Sequence, residues 1–194
     1  GDLLSMADIA IASKDCETVF HFAANPEVRL GDPLAHFETN IRGTFNVLET
    51  MRKTQTKGIV FASTSTVYGD ATVLPTPEIY SPLRPISVYG ASKLACESLI
   101  SAYCESYGLK AIILRFANIV GSRMRHGVIH EFVQKLKANP KKLEILGDGM
   151  QRKSYLLIDD AIQAIGYCLR DQGSNLEVYN IGSCLLYTSP SPRD

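Results

Sequence analysis

Two residues that could transfer a proton stand four positions apart, Tyr89 and Lys93 in Ser-Val-Tyr-Gly-Ala-Ser-Lys. Four residues make about one helical turn, so on a helix the phenol and the ammonium project from one face. A free tyrosine has a pKa of about 10, and a neighbouring positive charge favours the phenolate. The spacing predicts a tyrosine base whose pKa Lys93 lowers. The alternative is an amphipathic helix in which the tyrosine packs and the lysine is solvated.

The elements that must position this pair alternate between short apolar runs and long amphipathic ones. Residues 18–22, 58–62 and 111–116 are rich in Val, Ile and Phe and are predicted to be buried parallel strands. A hydroxyl cluster, residues 63–66, follows the second strand. Ligands of such sheets lie beyond the carboxyl ends of the strands, so this cluster is predicted to reach the same crevice as Tyr89.

Two helices are predicted between these strands. Asp32 caps and Pro33 opens the first, and the second covers residues 87–107 and stops at Gly108. Strands that alternate with helices imply right-handed crossovers, so we predict an α/β fold with a doubly wound parallel Rossmann-type sheet. Further along, the apolar stripe of residues 128–136 predicts a helix that faces a core, and residues 143–146 predict a short strand.

Beyond single residues, the chain resembles the extended short-chain dehydrogenase/reductase family, in its NAD-dependent nucleotide-sugar epimerase/dehydratase branch. The resemblance runs from Gly1 to about Ser183 and rests on landmarks in family order. They are Gly1-Asp-Leu, Val19-Phe-His-Phe-Ala-Ala, Asn40-x-x-Gly-Thr, Ser63-Thr with Val67-Tyr-Gly, Tyr89-x-x-x-Lys93, Arg115-Phe-Ala-Asn, Gly147-Asp-Gly with Arg152, and Tyr179-Asn-Ile-Gly.

The resemblance implies NAD as cofactor and a catalytic set of Thr64, Tyr89 and Lys93. Thr64 would hydrogen-bond the sugar hydroxyl, Tyr89 would be the base at the sugar 4-hydroxyl, and Lys93 would lower the tyrosine pKa and hold the nicotinamide ribose. Other positions would contact the cofactor or the nucleotide sugar. Those implied for the cofactor, besides Tyr89 and Lys93 themselves, are Asp2, Leu3, Phe22, Ala23, Ala24, Asn40 and Ala117, and those implied for the substrate are Thr64, Asn118, Ile145 and Arg152.

These assignments compete with ordinary structural roles. Residues 22–24 could simply pack at a strand end, and Arg152 could be a solvated loop charge beside Lys153. Family dehydratases and decarboxylases usually carry an acidic residue two places after the catalytic threonine, where this chain has Thr66. We therefore expect 4-epimerisation of a nucleotide sugar, UDP-glucose or UDP-galactose. A dehydratase, decarboxylase or reductase of the same family, or a non-catalytic NAD(P)-binding member, remains the alternative.

The resemblance also implies that the chain is an internal fragment. Family members open with a strand, a Gly-x-x-Gly-x-x-Gly turn and a helix that hold the pyrophosphate, and nothing of this kind precedes Gly1. We expect residues 1–118 to be the rest of the NAD-binding domain, 119–158 part of the substrate domain and 159–183 a return to the first. Residues 184–194 resemble a translated sequencing adapter rather than a natural Ser/Pro-rich tail. The chain alone is expected to be inactive.

The composition of the chain bears on which partners and which compartment it is expected to have. Twenty basic and twenty acidic residues balance, so no basic field predicts nucleic acid or a membrane surface. Scattered cysteines without Cys-x-x-Cys pairing predict free thiols and a cytoplasmic protein. His126 and His130 lack a third ligand with suitable spacing, so no metal is predicted. The resemblance implies a homodimer, with a four-helix contact through residues 33–56 and 87–107.

Overall fold

The computed structural model describes residues 1–27, 32–125, 127–145, 152–170, 173–183 and 186–188. Six α-helices and seven strands are assigned within these ranges. The helices are α1 (Met6–Ala12), α2 (Pro33–His36), α3 (Gly43–Thr54), α4 (Val88–Tyr107), α5 (Val128–Ala138) and α6 (Ile158–Cys168). The strands are β1 (Thr18–His21), β2 (Gly58–Thr64), β3 (Lys110–Phe116), β4 (Asn118–Val120), β5 (Arg152–Leu157), β6 (Leu176–Ile181) and β7 (Leu186–Thr188).

Four of the strands form one parallel sheet in the order β1-β2-β3-β6. Its register pairs His21 with Phe61 and Thr64 with Phe116, so β2 and β3 extend beyond the end of β1. Consecutive parallel strands need crossover connections, which the helices supply. The predicted α/β class with a parallel Rossmann-type sheet is confirmed.

A buried apolar layer between this sheet and helices α3 and α4 forms the core. Leu48 and Met51 of α3, Phe61 of β2 and Ile100 of α4 have no exposed surface. Burying a side chain of this size stabilises a fold by about 1.5–3 kcal/mol. The core therefore fixes α4, which carries Tyr89 and Lys93, against β2, which ends at Thr64.

Local capping sets the helix boundaries much as predicted. The Asp32 carboxylate accepts a hydrogen bond from the Leu34 amide at 3.0 Å, and the Ser87 hydroxyl accepts one from the Gly90 amide at 3.0 Å. Gly108 ends α4 with a φ of 67°, in the left-handed region. Between α2 and α3 lies an unpredicted feature, a π-helical turn over Phe37–Arg42.

The chain divides into two compact units. The first comprises Gly1–Phe116 and Ile165–Ile181, and the second comprises Ala117–Ala164 and resumes at Gly182. In the second unit β4 pairs with β5 in parallel, and β7, within the segment that resembles an adapter, pairs with β5 in antiparallel fashion.

Two expectations for the second unit are wrong. Helix α5 forms where predicted, but its apolar stripe does not face a core, because no residue of α5 is buried and Ile129, Val133 and Leu136 are each more than 40% exposed. The predicted strand near residue 143 is absent from the described residues 143–145, which lack a pairing partner among the described strands. Within the described ranges, no helix is both long enough and apolar enough to cross a membrane.

Candidate active site

The structure places Thr64 and Tyr89 close together. Thr64 is the last residue of β2, and Tyr89 lies in the first turn of α4. The Thr64 hydroxyl lies near enough to the Tyr89 phenol to lower the pKa of that phenol, and it accepts a hydrogen bond from the Thr66 amide at 3.2 Å. A hydroxyl can donate and accept at once, so Thr64 can bind a ligand while remaining tied to its own strand end.

The pKa of Tyr89 moves in the opposite direction from the sequence prediction. The pKa of Tyr89 is raised above its usual value because burial of the phenol disfavours the phenolate, and this outweighs the nearby Thr64 hydroxyl, which lowers the pKa. Lys93 is not among the groups that shift it in this structure. The tyrosine is therefore held as a neutral phenol that already faces a hydroxyl partner.

Lys93 is a buried cation, only 2% exposed. Its ammonium lies 4.1 Å from the centre of the Phe61 ring, and it hydrogen-bonds to none of the described residues. Burial lowers the pKa of Lys93 to about 8, against an opposing effect of Cys96 and Glu97. An ammonium with free donors beside the end of a parallel strand suits a ligand that carries hydroxyl acceptors.

His21 also lies beside Phe61 and was not singled out from the sequence. Its Nε2 is 2.9 Å from the Thr44 hydroxyl, and its ring centre lies 5.6 Å from that of Phe61. Burial, helped by the charge of Lys93, lowers the pKa of His21 to about 4. His21 is therefore neutral near pH 7, which leaves Lys93 as the cation of this pair.

Asn40 is buried, and its side chain lies between the segment that follows β1 and helix α4. Its Oδ1 accepts from the Asn25 amide at 2.7 Å, and its Nδ2 donates to the Ser92 hydroxyl at 2.9 Å and to the Asn25 carbonyl at 3.2 Å. The buried amide thus fastens the segment after β1 to helix α4. A role of Asn40 at the cofactor would act through the segment that it holds.

The remaining positions implied for the cofactor lie at two places in the first unit and one in the second. Phe22 and Ala23 are exposed after β1, and Ala24 beside them is half-buried. Asp2 is exposed and Leu3 is half-buried before α1; the Leu3 carbonyl accepts from Asn46 Nδ2 of α3 at 3.0 Å. Ala117 belongs to the second unit.

The positions implied for the substrate, apart from Thr64, also belong to the second unit. The Asn118 Nδ2 donates to the Ser154 carbonyl at 3.0 Å, and Ile145 is half-buried. Arg152 is the first residue of β5, but its side chain lies outside the described part of the structure, as do Gly147-Asp-Gly and His126.

A sequence signal existed for residues that the sequence analysis passed over. Glu97 follows Lys93 by four positions, as Lys93 follows Tyr89, so three polar residues lie along one face of α4. Arg115 interrupts the apolar run of β3, and a charge inside a buried strand requires a partner. Together these two features predict a buried ion pair behind the tyrosine.

Comparison with known proteins identifies the family of the chain. The sequence profile of the NAD dependent epimerase/dehydratase family matches residues 1–182, and the chain belongs to this family. A relative from Methanocaldococcus jannaschii, itself only provisionally assigned as a UDP-glucose 4-epimerase, is 37% identical over 183 residues. That match covers 91% of this chain and 58% of the relative, so the chain spans little more than half of the relative's length.

The solved structures that resemble this chain include nucleotide-sugar epimerases and dehydratases. A UDP-galactose 4-epimerase is 43% identical with a TM-score of 0.84, and the match covers 97% of this chain and 62% of the other. The dTDP-glucose 4,6-dehydratase DesIV from Streptomyces venezuelae, solved as a double mutant with NAD bound, is 29% identical with a TM-score of 0.88, covering 97% and 59%. Epimerases and dehydratases thus share this fold, and NAD is the cofactor of the family.

Proposed function

We propose that this chain is part of a nucleotide-sugar 4-epimerase that interconverts UDP-glucose and UDP-galactose. The observation that carries the proposal is that Thr64 lies close to Tyr89, with the buried Lys93 ammonium one helical turn further along α4. A binding module needs no such proton-transfer set. The 43% identity with a UDP-galactose 4-epimerase supports this substrate class.

In the proposed reaction Tyr89 removes the proton from the sugar 4-hydroxyl and later returns it. Thr64 hydrogen-bonds the same hydroxyl and keeps it in line with the phenol. Lys93 donates hydrogen bonds to the nicotinamide ribose, and its charge favours the phenolate when the proton leaves. NAD, when bound, would supply the oxidising chemistry: hydride would leave carbon 4 for the cofactor and return to the opposite face of the same carbon, which inverts it. The tyrosine pKa, raised in this structure, must fall on assembly of the complete site for this step to proceed.

Thr66 supports an epimerase over a dehydratase. The Thr66 hydroxyl lies 3.1 Å from the Thr64 hydroxyl. The side chain two places after the proposed catalytic threonine is therefore beside the group that would bind the sugar hydroxyl. Elimination of water needs an acid or base beyond the tyrosine, and a threonine supplies neither near neutral pH. Simple oxidation and re-reduction at one carbon needs no such group.

The proposal keeps the other assignments that the family resemblance implies. Asp2 and Leu3 would contact the adenine, residues 22–24 the dinucleotide, and Ala117 the nicotinamide. Asn118 and Arg152 would hold the diphosphate of the nucleotide sugar and Ile145 its base, because amide and guanidinium donors suit phosphate oxygens.

The experiment that tests this function is proton NMR of UDP-galactose incubated with NAD and the full-length protein that contains this chain. We expect the anomeric signal of UDP-glucose to appear and the two sugars to reach equilibrium. An unchanged spectrum would contradict the proposed substrate. Conversion to a 4-keto-6-deoxy sugar would instead establish a dehydratase.

The 194-residue chain alone is proposed to bind NAD weakly and to be inactive, since it covers only 58–62% of these epimerases. Calorimetric titration of the chain with NAD, next to the full-length protein, measures the difference. Clear turnover by the chain alone would refute this part of the proposal.

A homodimer is proposed as the working assembly. Apolar side chains on α2 and α3 and the turn between them are exposed, among them Leu34, Phe37 and Phe45. Exposed apolar groups on one pair of helices suit a partner surface of the same kind. Light scattering of the full-length protein with and without Phe45→Glu tests this, and a monomeric wild type would contradict it.

A further inference from the structure

A buried ion pair joins helix α4 to strand β3 behind the candidate site. Arg115 Nη2 lies 2.7 Å from Glu97 Oε2, and Arg115 Nε donates to Glu97 Oε1 at 3.1 Å. Each side chain is only 6% exposed. Burying two charges is costly unless their remaining donors and acceptors are satisfied, so such a pair is weak evidence of stabilisation by itself. A reason for its presence must come from what the carboxylate contacts.

The first contact is with the strand that carries Thr64. The Ser63 hydroxyl donates a hydrogen bond to Glu97 Oε1, and Ser63 directly precedes Thr64 at the end of β2. Since Ser63 and Thr64 share one peptide unit, holding the Ser63 side chain also restricts the backbone position of Thr64. Glu97 therefore fixes the strand end against the helix that bears the tyrosine.

The second contact is electrostatic and acts on Lys93. Glu97 lies one turn after Lys93 on α4, and both are buried. The ionisable groups around Lys93 are His21 of β1 with Tyr89, Cys96 and Glu97 of α4. His21 is neutral near pH 7, and burial raises the pKa values of Tyr89 and Cys96. Cys96 and Glu97 are the two groups that favour the Lys93 ammonium, and Glu97 is the carboxylate of the two.

Arg115 in turn keeps the carboxylate in place. Its Nη1 donates to the Tyr68 hydroxyl at 2.9 Å and to the Glu78 carbonyl at 3.0 Å, and the Tyr68 hydroxyl donates to Asn180 Oδ1 at 2.7 Å. The guanidinium is thereby held by three segments of the first unit. A carboxylate paired with so fixed a cation cannot turn away from Ser63 without breaking several bonds.

We propose that Glu97 is a positioning residue for the reaction, which fixes the Thr64 strand end through Ser63 and stabilises the buried Lys93 ammonium by its charge. This inference rests on the proposed function for its kinetic consequence. Its structural consequence, the protonation of Lys93, does not depend on which sugar is the substrate.

The first test follows Lys93 without substrate, in full-length protein labelled with ¹³C at the lysine ε-carbon. An NMR titration compares wild type with Glu97→Gln, and Lys93→Arg identifies the signal. Removal of the negative charge is expected to move the Lys93 titration to lower pH. Glu49→Gln is the matched control, because Glu49 also accepts two bonds from an arginine, Arg52, and one from a hydroxyl, that of Tyr103. The control should titrate like wild type.

The second test uses Ser63→Ala, which keeps the buried ion pair and should fold even if Glu97→Gln does not. Because a small displacement of a catalytic group can cost up to about 100-fold in rate, we expect kcat to fall by about 10-fold or more, with KM for the nucleotide sugar within about twofold of wild type. Glu97→Gln should show the same split, and the alkaline loss of its activity should begin at a lower pH.

Clear outcomes would overturn the proposal. An unmoved Lys93 titration in a folded Glu97→Gln protein removes the electrostatic role, and a wild-type kcat in Ser63→Ala removes the positioning role. Failure of the wild-type protein to convert UDP-galactose would count against the proposed substrate alone, because the Lys93 titration is measured without it.

Discussion

The side chains of His21 and Lys93 contact the same aromatic ring, that of Phe61. The imidazole lies with its centre 5.6 Å from the ring centre, and the ammonium lies 4.1 Å from it. Burial lowers the pKa of both groups, to about 4 for His21 and about 8 for Lys93. At pH 7 the imidazole of His21 is therefore neutral and the amine of Lys93 is protonated, although both are buried beside the same ring. The shifted pKa of each group makes the free energy of unfolding depend on pH.

Acid should destabilise the protein through His21. The unfolded chain binds the proton at the ordinary pKa of 6.5, whereas the folded protein binds it only at about 4. Stability is therefore complete above pH 6.5 and falls as the pH drops toward 4, by about 3 kcal/mol in total. Urea unfolding from pH 4 to pH 7 should show this slope in wild type and a smaller one in His21→Gln. His130→Gln, on α5, is the control that should keep the slope.

Replacement of Lys93 by methionine should stabilise the protein while abolishing turnover. Because the folded pKa of about 8 lies below the ordinary 10.5, the unfolded chain holds its proton more tightly, and wild-type stability rises as the pH increases from 8 to 10.5. Below pH 8 the buried ammonium costs on the order of 3 kcal/mol, which Lys93→Met removes. Melting temperatures at pH 7 and pH 10 measure this. Lys110→Met, at an exposed lysine, should show no gain, and a less stable Lys93→Met protein would contradict the expectation.

Tyr89→Phe should separate chemistry from binding. The ring remains packed against His36, whose ring centre lies 6.0 Å away, so the fold should persist. Loss of a positioned general base lowers kcat by about 10²–10⁴-fold. Calorimetric NAD binding should stay within about twofold of wild type. Turnover close to wild type would remove Tyr89 from the proposed reaction.

Two glycines with positive φ should differ in their response to alanine. Gly69 has φ 63° and ψ −138°, and an added Cβ would overlap the Arg84 carbonyl oxygen. Gly108 has φ 67° and ψ 30°, with open space around the Cβ position. Gly108→Ala should cost about 1 kcal/mol and Gly69→Ala more than about 3 kcal/mol of unfolding free energy. Equal losses in urea unfolding would show that backbone conformation alone, without the steric overlap, sets the cost.

In the first unit, local signals in the sequence were sufficient to predict the main helix boundaries and the parallel sheet. Ser87 and Gly108 bound α4, and Asp32 caps α2, because capping depends on side chains adjacent to the helix end. The parallel sheet followed from short apolar runs that alternate with helices. Motif order, with the rule that strand ends meet at one edge of a sheet, indicates that Thr64 and Tyr89 lie close together.

The predictions that were wrong or missing concern properties that depend on contacts between residues distant in sequence. The apolar stripe of α5 predicted burial, but periodicity indicates only which side of a helix is apolar and not what covers it. The pKa of Tyr89 was predicted from one neighbour, Lys93, whereas burial by the whole fold decides its direction. The Glu97–Arg115 pair joins residues 18 positions apart and could be inferred only from a charge within an apolar strand.

The π-helical turn at Phe37–Arg42 limits how this protein can be re-engineered. Deleting one residue there would allow α2 and α3 to join as one regular helix, a change that looks favourable in any helix taken alone. It would also rotate Asn40 by about 100° relative to the following turns and break its hold on Asn25. A redesign for thermostability that idealises this helix would therefore loosen the chain at the end of β1, and natural variants should keep the extra residue.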